Sequence, residues 1–167
     1  MPTQESSPHP TPRVSPQLAP PEAGIPEHRP LFVVGVDGSP SSAKALRHAV
    51  TLGQFQNARI RAVTVWSYPN SYTPLPTTWS PEDDAQEILA EVTASVFGAS
   101  VPEWFEQKTT EGAPARVLID ESANADMVIV GSRGHGGFAG LLLGSVSSQC
   151  AEHAGCPVLV VHGTDAV

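Results

Sequence analysis

Basic residues are scarce in this chain. Its 167 residues include 9 Lys and Arg against 17 Asp and Glu, for a formal net charge of −8. No Lys/Arg cluster stands out, so DNA and RNA are not expected partners, because a phosphate backbone is held chiefly by grouped cations. Cysteine is nearly absent as well. Cys150 and Cys156 are the two present, and five residues separate them. That spacing suits neither a CxxC redox pair nor a zinc knuckle. Two reduced thiols in a cytoplasmic protein are expected, with a regulatory disulfide as the alternative. Long apolar runs are missing: none approaches the ~18 residues of a membrane span. The N-terminus has no basic start followed by an apolar stretch, so no secretory leader and no membrane partner are expected. His48, His153 and His162 show no ligand spacing, which argues against a zinc site, and no Ser-His-Asp constellation is recognisable.

Proline is unevenly spread. Nine of the 17 lie in Met1–Pro30, a stretch almost without large apolar side chains. Such a segment cannot bury enough surface to offset its ordering entropy, and residues 1–30 are expected to be a disordered tail. The domain is expected over residues 31–163, with 164–167 as a short C-terminal end.

Within the domain the pattern alternates. Leu31–Val36, Asp126–Val130 and Pro157–His162 are continuous apolar runs, as in strands buried on both faces. Arg59–Trp66 is a further strand, and Trp104–Thr110 a shorter, more polar one of edge type. Ser39 before Pro40 reads as the cap of a helix reaching about Gln54, with Leu46, Ala49, Val50 and Gly53 inward. Ser80-Pro81-Glu82-Asp83-Asp84 opens a second helix, its carboxylates placed where the helix dipole favours them, and Gly98 stops it. A proline-rich loop, Ser67 to Ser80, lies between. Pro114 opens a third helix, and a fourth runs from about Ser145 to His153. The order β-α-β-α-β-α-β-α-β demands a parallel sheet with right-handed crossovers. Ligands of such sheets bind beyond the carboxyl ends of the strands, where the strand order reverses.

Glycine is concentrated after the fourth strand, in Gly131-Ser132-Arg133-Gly134-His135 and onward to Gly144-Ser145. This is neither a Walker A loop, having no Gly-Lys-Ser/Thr ending, nor a dinucleotide fingerprint, since its spacing and position differ. Its logic is still that of a phosphate site. Gly131 and Gly134 remove Cβ atoms from the path of an anion. Gly144-Ser145 opens a helix whose free N–H groups attract the same anion, and the Ser145 and Ser147 hydroxyls are positioned to add hydrogen bonds.

The full spacing, Gly-x2-Gly-x9-Gly-Ser, resembles the nucleotide signature of the universal stress protein family. At ordinary glycine usage it would arise by chance in about one such chain in a hundred. Val33-Val34-Gly35-Val36-Asp37-Gly38-Ser39 and Gly155-Cys156-Pro157-Val158-Leu159-Val160-Val161 are similar to the family's first and last strands. The resemblance covers Leu31 to Gly163. It implies an open five-stranded α/β sheet of order 3-2-1-4-5, helices on both faces, and a homodimer through the last strand, 157–162. It also implies ATP as ligand, with Mg2+ or Mn2+ carried by the nucleotide; AMP and cyclic AMP are alternatives. Gly35 would line the adenine side, Val36 would be among the nucleotide-binding residues, and Asp37 would sit by the ribose or adenine. Val65 would touch the base, and Val130 and Gly131 would flank the adenosine. Gly134 would pass close to the phosphates, and Gly144, Ser145, Val146 and Ser147 would bind them. Arg133 and His135 either touch a phosphate or project into solvent. With no lysine and no evident acidic base at the loop, a nucleotide-binding regulator of stress responses is expected over a fast phosphoryl-transfer enzyme; a slow ATPase is the alternative.

Overall fold

A computed structural model describes residues 28–69, 79–135 and 142–163. The expected tail, most of the proline-rich loop, the middle of the glycine excursion with Phe138 and Leu141, and the last four residues lie outside the described residues. The elements are β1 (Leu31–Gly35), α1 (Pro40–Gln56), β2 (Arg59–Trp66), α2 (Pro81–Phe97), β3 (Phe105–Glu111), α3 (Pro114–Ser122), β4 (Met127–Gly131), α4 (Ser145–His153) and β5 (Val158–Val161). The five strands form one parallel sheet of order β3-β2-β1-β4-β5. This is the sheet expected from the sequence. β1 stops one residue early, β3 and β4 are shifted by one, β5 is shorter, and α1 runs two residues further.

Local chemistry explains the boundaries. The Ser39 hydroxyl accepts the Ser42 N–H (3.2 Å) with Pro40 in the first turn, and Asn57 ends α1 in the left-handed region, at φ 51°. The Ser80 hydroxyl accepts the Asp83 N–H (3.2 Å), and Gly98, at φ 66°, ends α2. β3 lies at one edge of the sheet, where its polar residues face water, and β5 lies at the other.

Strand parity sorts the core into two layers. Phe32, Val34, Ile60, Ala62 and Ile129 pack with Leu46 and Ala49 of α1 and Leu89 and Val92 of α2. Leu31, Val33, Val63, Val128 and Val130 pack on the opposite side with Leu118 of α3 and Cys150 of α4. This second cluster is smaller, and α3 is also tied down by charge. Glu121 accepts from Lys108 Nζ (2.6 Å) and Arg61 Nη1 (2.9 Å). Burial works against its charge, but those two bonds hold its carboxyl below the ordinary value. Among the described residues no helix is long and apolar enough to cross a membrane.

Candidate functional site

β1 and β4 are neighbours in a sheet whose chain order reverses between them. The residues following each strand therefore open onto one crevice. A cavity of about 320 Å³ lies there, at the carboxyl ends of the strands and on the α3–α4 side. The sequence-predicted residues all line it, although they come from three strand ends, one loop and one helix.

One end is apolar. Gly35, Val65 and Val130 form the floor, joined by Val63, Pro114 and Leu118. Val36 also lines the cavity, but its side chain packs into the α1–α2 cluster, so it offers backbone. Sequence reading missed Ser42, Val63, Pro114 and Leu118. Val63 was accessible to it, being two residues before Val65 and hence on the same face. Pro114 and Leu118 start the helix after β3, at the same end of the sheet as Gly131. Nothing local marked Ser42.

The other end is backbone and polar. Gly144 is the N-cap of α4, and no side chain caps this helix. Among the described residues no acceptor meets the N–H groups of Ser145, Val146 and Ser147, and all three residues line the cavity. Such a first turn carries a partial positive charge and unused donors. The Ser147 hydroxyl has another partner than expected. It is buried and points at the Ser132 carbonyl (3.1 Å) and the Gly144 carbonyl (3.0 Å), so Ser147 presents its N–H and not its hydroxyl. Ser145, Arg133 and His135 are exposed at the rim. Leu142 is 85% exposed on this domain.

Asp37 bridges two segments. Its Oδ1 accepts from the Ser39 N–H (3.0 Å) and hydroxyl (2.6 Å), and its Oδ2 accepts from the His135 N–H (3.3 Å). Burial raises its pKa. The bonds from Ser39, Ser42 and His135 outweigh that effect and leave the pKa below its ordinary value. Asp37, expected at the ribose or adenine, therefore also touches the glycine loop. With both oxygens engaged and its proton affinity lowered, it is a weak base.

The two loop glycines face protein. A Cβ on Gly131 would come within 2.8 Å of the Ser41 carbonyl carbon and 2.9 Å of the Ser42 nitrogen. Backbone on both sides of that contact leaves no room to shift, so Gly131 is required by the first turn of α1. A Cβ on Gly134 would collide with Asp37 Oδ2. Neither backbone is in the left-handed region, so close approach to backbone is the reason for glycine at Gly131, whereas at Gly134 the Asp37 carboxylate would have to move.

Residues 31–162 match the model of the Universal stress protein family. A universal stress protein of Mycolicibacterium smegmatis is 35% identical over 130 residues, which are 77% of this chain and 44% of that protein. The chain thus spans less than half the length of that curated relative. The structure of universal stress protein UspA from Lactobacillus plantarum superposes with a TM-score of 0.67 at 22% identity, covering 80% of this chain and 99% of that one. That likeness shows the fold. A universal stress protein solved in complex with cAMP gives a TM-score of 0.60 at 28% identity, covering 80% of this chain and 97% of that one.

Proposed function

Because this chain belongs to the universal stress protein family, we propose that its cavity binds an adenine nucleotide, with ATP as the ligand, and that the protein acts as a nucleotide-responsive regulator. One observation carries the reading. The cavity has an apolar end built on Gly35, Val65, Val130 and Leu118 and, opposite it, an uncapped helix start at Ser145–Ser147. A nucleotide has the same division, a flat apolar base at one end and anionic phosphates at the other. The volume falls at the lower end of ordinary ligand pockets, so the adenosine would fill it and the phosphates would extend over Gly134 and the exposed Arg133 and His135. The cAMP complex of a 28% identical protein supports the base assignment.

The same geometry argues for binding over fast chemistry. Efficient phosphoryl transfer needs an oriented nucleophile and charge neutralisation at the transferred group. Asp37 is the one carboxylate lining the cavity among the described residues, and both its oxygens already accept hydrogen bonds. Among the described residues no group of His, Cys, Asp or Glu is placed to hold Mg2+ or Mn2+, and the ion would be held by the phosphates. A second copy is proposed to pair along β5, whose outer edge has unpaired backbone groups of the kind that invite strand addition; a dimer mass in sedimentation equilibrium tests this.

The functional test is mass spectrometry of the protein purified from cells without added nucleotide, followed by a turnover assay. Copurified adenine nucleotide with hydrolysis far below ~1 s⁻¹ is the expected result. Steady turnover at or above that rate would replace the regulator by an enzyme. A different copurified ligand would overturn the nucleotide assignment.

A further inference from the structure

We infer that Ser41 is a positioning residue for the anion end of the cavity: by holding the Arg133 carbonyl against α1, it turns the Gly134 N–H into the cavity. The inference rests on the nucleotide reading in that the anion served is the phosphate of that ligand.

Ser41 is the second residue of α1 and is buried. Its hydroxyl donates to the Arg133 carbonyl. The side chain sits in a hole left by two glycines. A Cβ on Gly131 would strike Ser41, and one on Gly163 would stand 3.3 Å from the Ser41 Cβ. Helix formation does not ask for serine here. Ser39 already caps α1, and alanine is the better helix former. What the hydroxyl adds is its bond to the loop, besides a 3.4 Å contact with the Ser39 hydroxyl.

That bond fixes a direction. No cis peptide occurs among the described residues, and across a trans peptide the C=O and the next N–H point opposite ways. The Arg133 carbonyl is drawn towards α1, so the Gly134 N–H faces away from it. Gly134 lines the cavity, and its N–H has no acceptor among the described residues. Its nitrogen lies 3.8 Å from where a Cβ on Gly144 would stand, beside the start of α4. The next amide is used differently, since the His135 N–H returns to Asp37 Oδ2 at 3.3 Å. One loop N–H therefore lines the same cavity as those of Ser145, Val146 and Ser147, and the Ser41 bond holds its peptide before any ligand arrives. Donors fixed in advance bind without a reorganisation cost.

The experiment compares wild type with Ser41→Ala by calorimetry against ATP and adenosine, and by NMR of the Gly134 amide during titration with pyrophosphate. The expected result is ATP binding weakened about tenfold with adenosine binding unchanged, and a pyrophosphate-induced Gly134 shift in wild type that is lost in the variant. A merely structural role would weaken both ligands together. Should Ser41→Ala fail to fold, Ser41→Cys, of similar volume but with a weaker donor, must show the same selective loss. An unchanged ATP-to-adenosine ratio, an equal loss for both ligands, or a wild-type Gly134 amide indifferent to pyrophosphate would overturn the inference. Wild type that binds no adenine nucleotide, yet shows a Ser41-dependent pyrophosphate shift at Gly134, would overturn the nucleotide reading and leave the role of Ser41 standing.

Discussion

On one face of the sheet lie α1 and α2, each 17 residues long and each opened by a serine hydroxyl that takes a first-turn N–H. On the other lie α3 and α4, each nine residues long and opened by Ala113 and Gly144 without a side-chain cap. The first pair covers the larger apolar cluster and the second the smaller. The cavity is on the second side, lined by the starts of both uncapped helices. Helix ends satisfied by their own side chains stabilise the domain. Helix ends left open give up that contribution, about 1 kcal/mol per cap, and keep donors for a ligand. The two faces thus divide stability from binding, and α3 recovers part of the deficit through Glu121 and its two cationic partners.

The largest expected effect tests where the faces meet. Gly131→Ala would push a methyl group into the backbone of α1 and should lower stability by about 2–3 kcal/mol, read from urea midpoints. Gly144→Ala meets only ordinary contacts, the nearest at 3.5 Å, and should change stability by less than ~0.5 kcal/mol. Equal midpoints for the two variants would break the distinction between a glycine required by packing and one left open for a ligand.

Ser145→Pro probes the open side alone. Proline suits the first position of a helix, and Gly144, at φ −76° and ψ 168°, already has the backbone a following proline demands. One N–H and one hydroxyl are lost. ATP affinity should fall about tenfold, ~1.4 kcal/mol, with the melting temperature nearly unchanged. ATP binding at wild-type strength would remove the start of α4 from the site.

Exchanging cap chemistry between the faces comes next. Ser39→Ala should cost about 1 kcal/mol. Gly144→Ser, which gives α4 a cap, should add a few tenths of a kcal/mol while weakening ATP, because the new hydroxyl occupies a ligand donor. A Gly144→Ser protein that gains stability with no loss of ATP affinity would show that cap and ligand do not compete.

The smallest effect is the pH dependence of Asp37. Its folded pKa lies below its ordinary value of 3.8, because bonds from Ser39, Ser42 and His135 prevail over burial. A depressed pKa means stability that is present in full above about pH 4 and is lost as pH falls through the folded value. The stability gap between wild type and Asp37→Asn should therefore be constant from neutral pH to about pH 5 and shrink below pH 4. A gap that widens in acid would reverse the sign and the assignment.

Much of this was legible in the sequence because it is local. Ser39-Pro40 and Ser80-Pro81 carry their cap chemistry in adjacent residues, and the apolar runs at Leu31 and Met127 declare buried strands. β3 announced its edge position through its polar residues. The sheet order needed the family resemblance. What stayed hidden depends on segments distant in sequence. Gly131 reads as an anion-cradle glycine, and only the fold brings Ser41 and Ser42 against it. Ser147 reads as a free hydroxyl until Ser132, 15 residues earlier, is placed over it. Asp37 and His135, 98 positions apart, meet because β1 and β4 pair. Pro114 and Leu118 have no motif, only a location at the correct end of the sheet.

The most direct measurement is a pair of calorimetric titrations of the wild-type protein, with ATP and with adenosine. The account predicts saturable one-to-one binding of both, with ATP tighter by at least about tenfold, the surplus coming from phosphates at the start of α4. Equal affinities, or no binding of ATP, would contradict it.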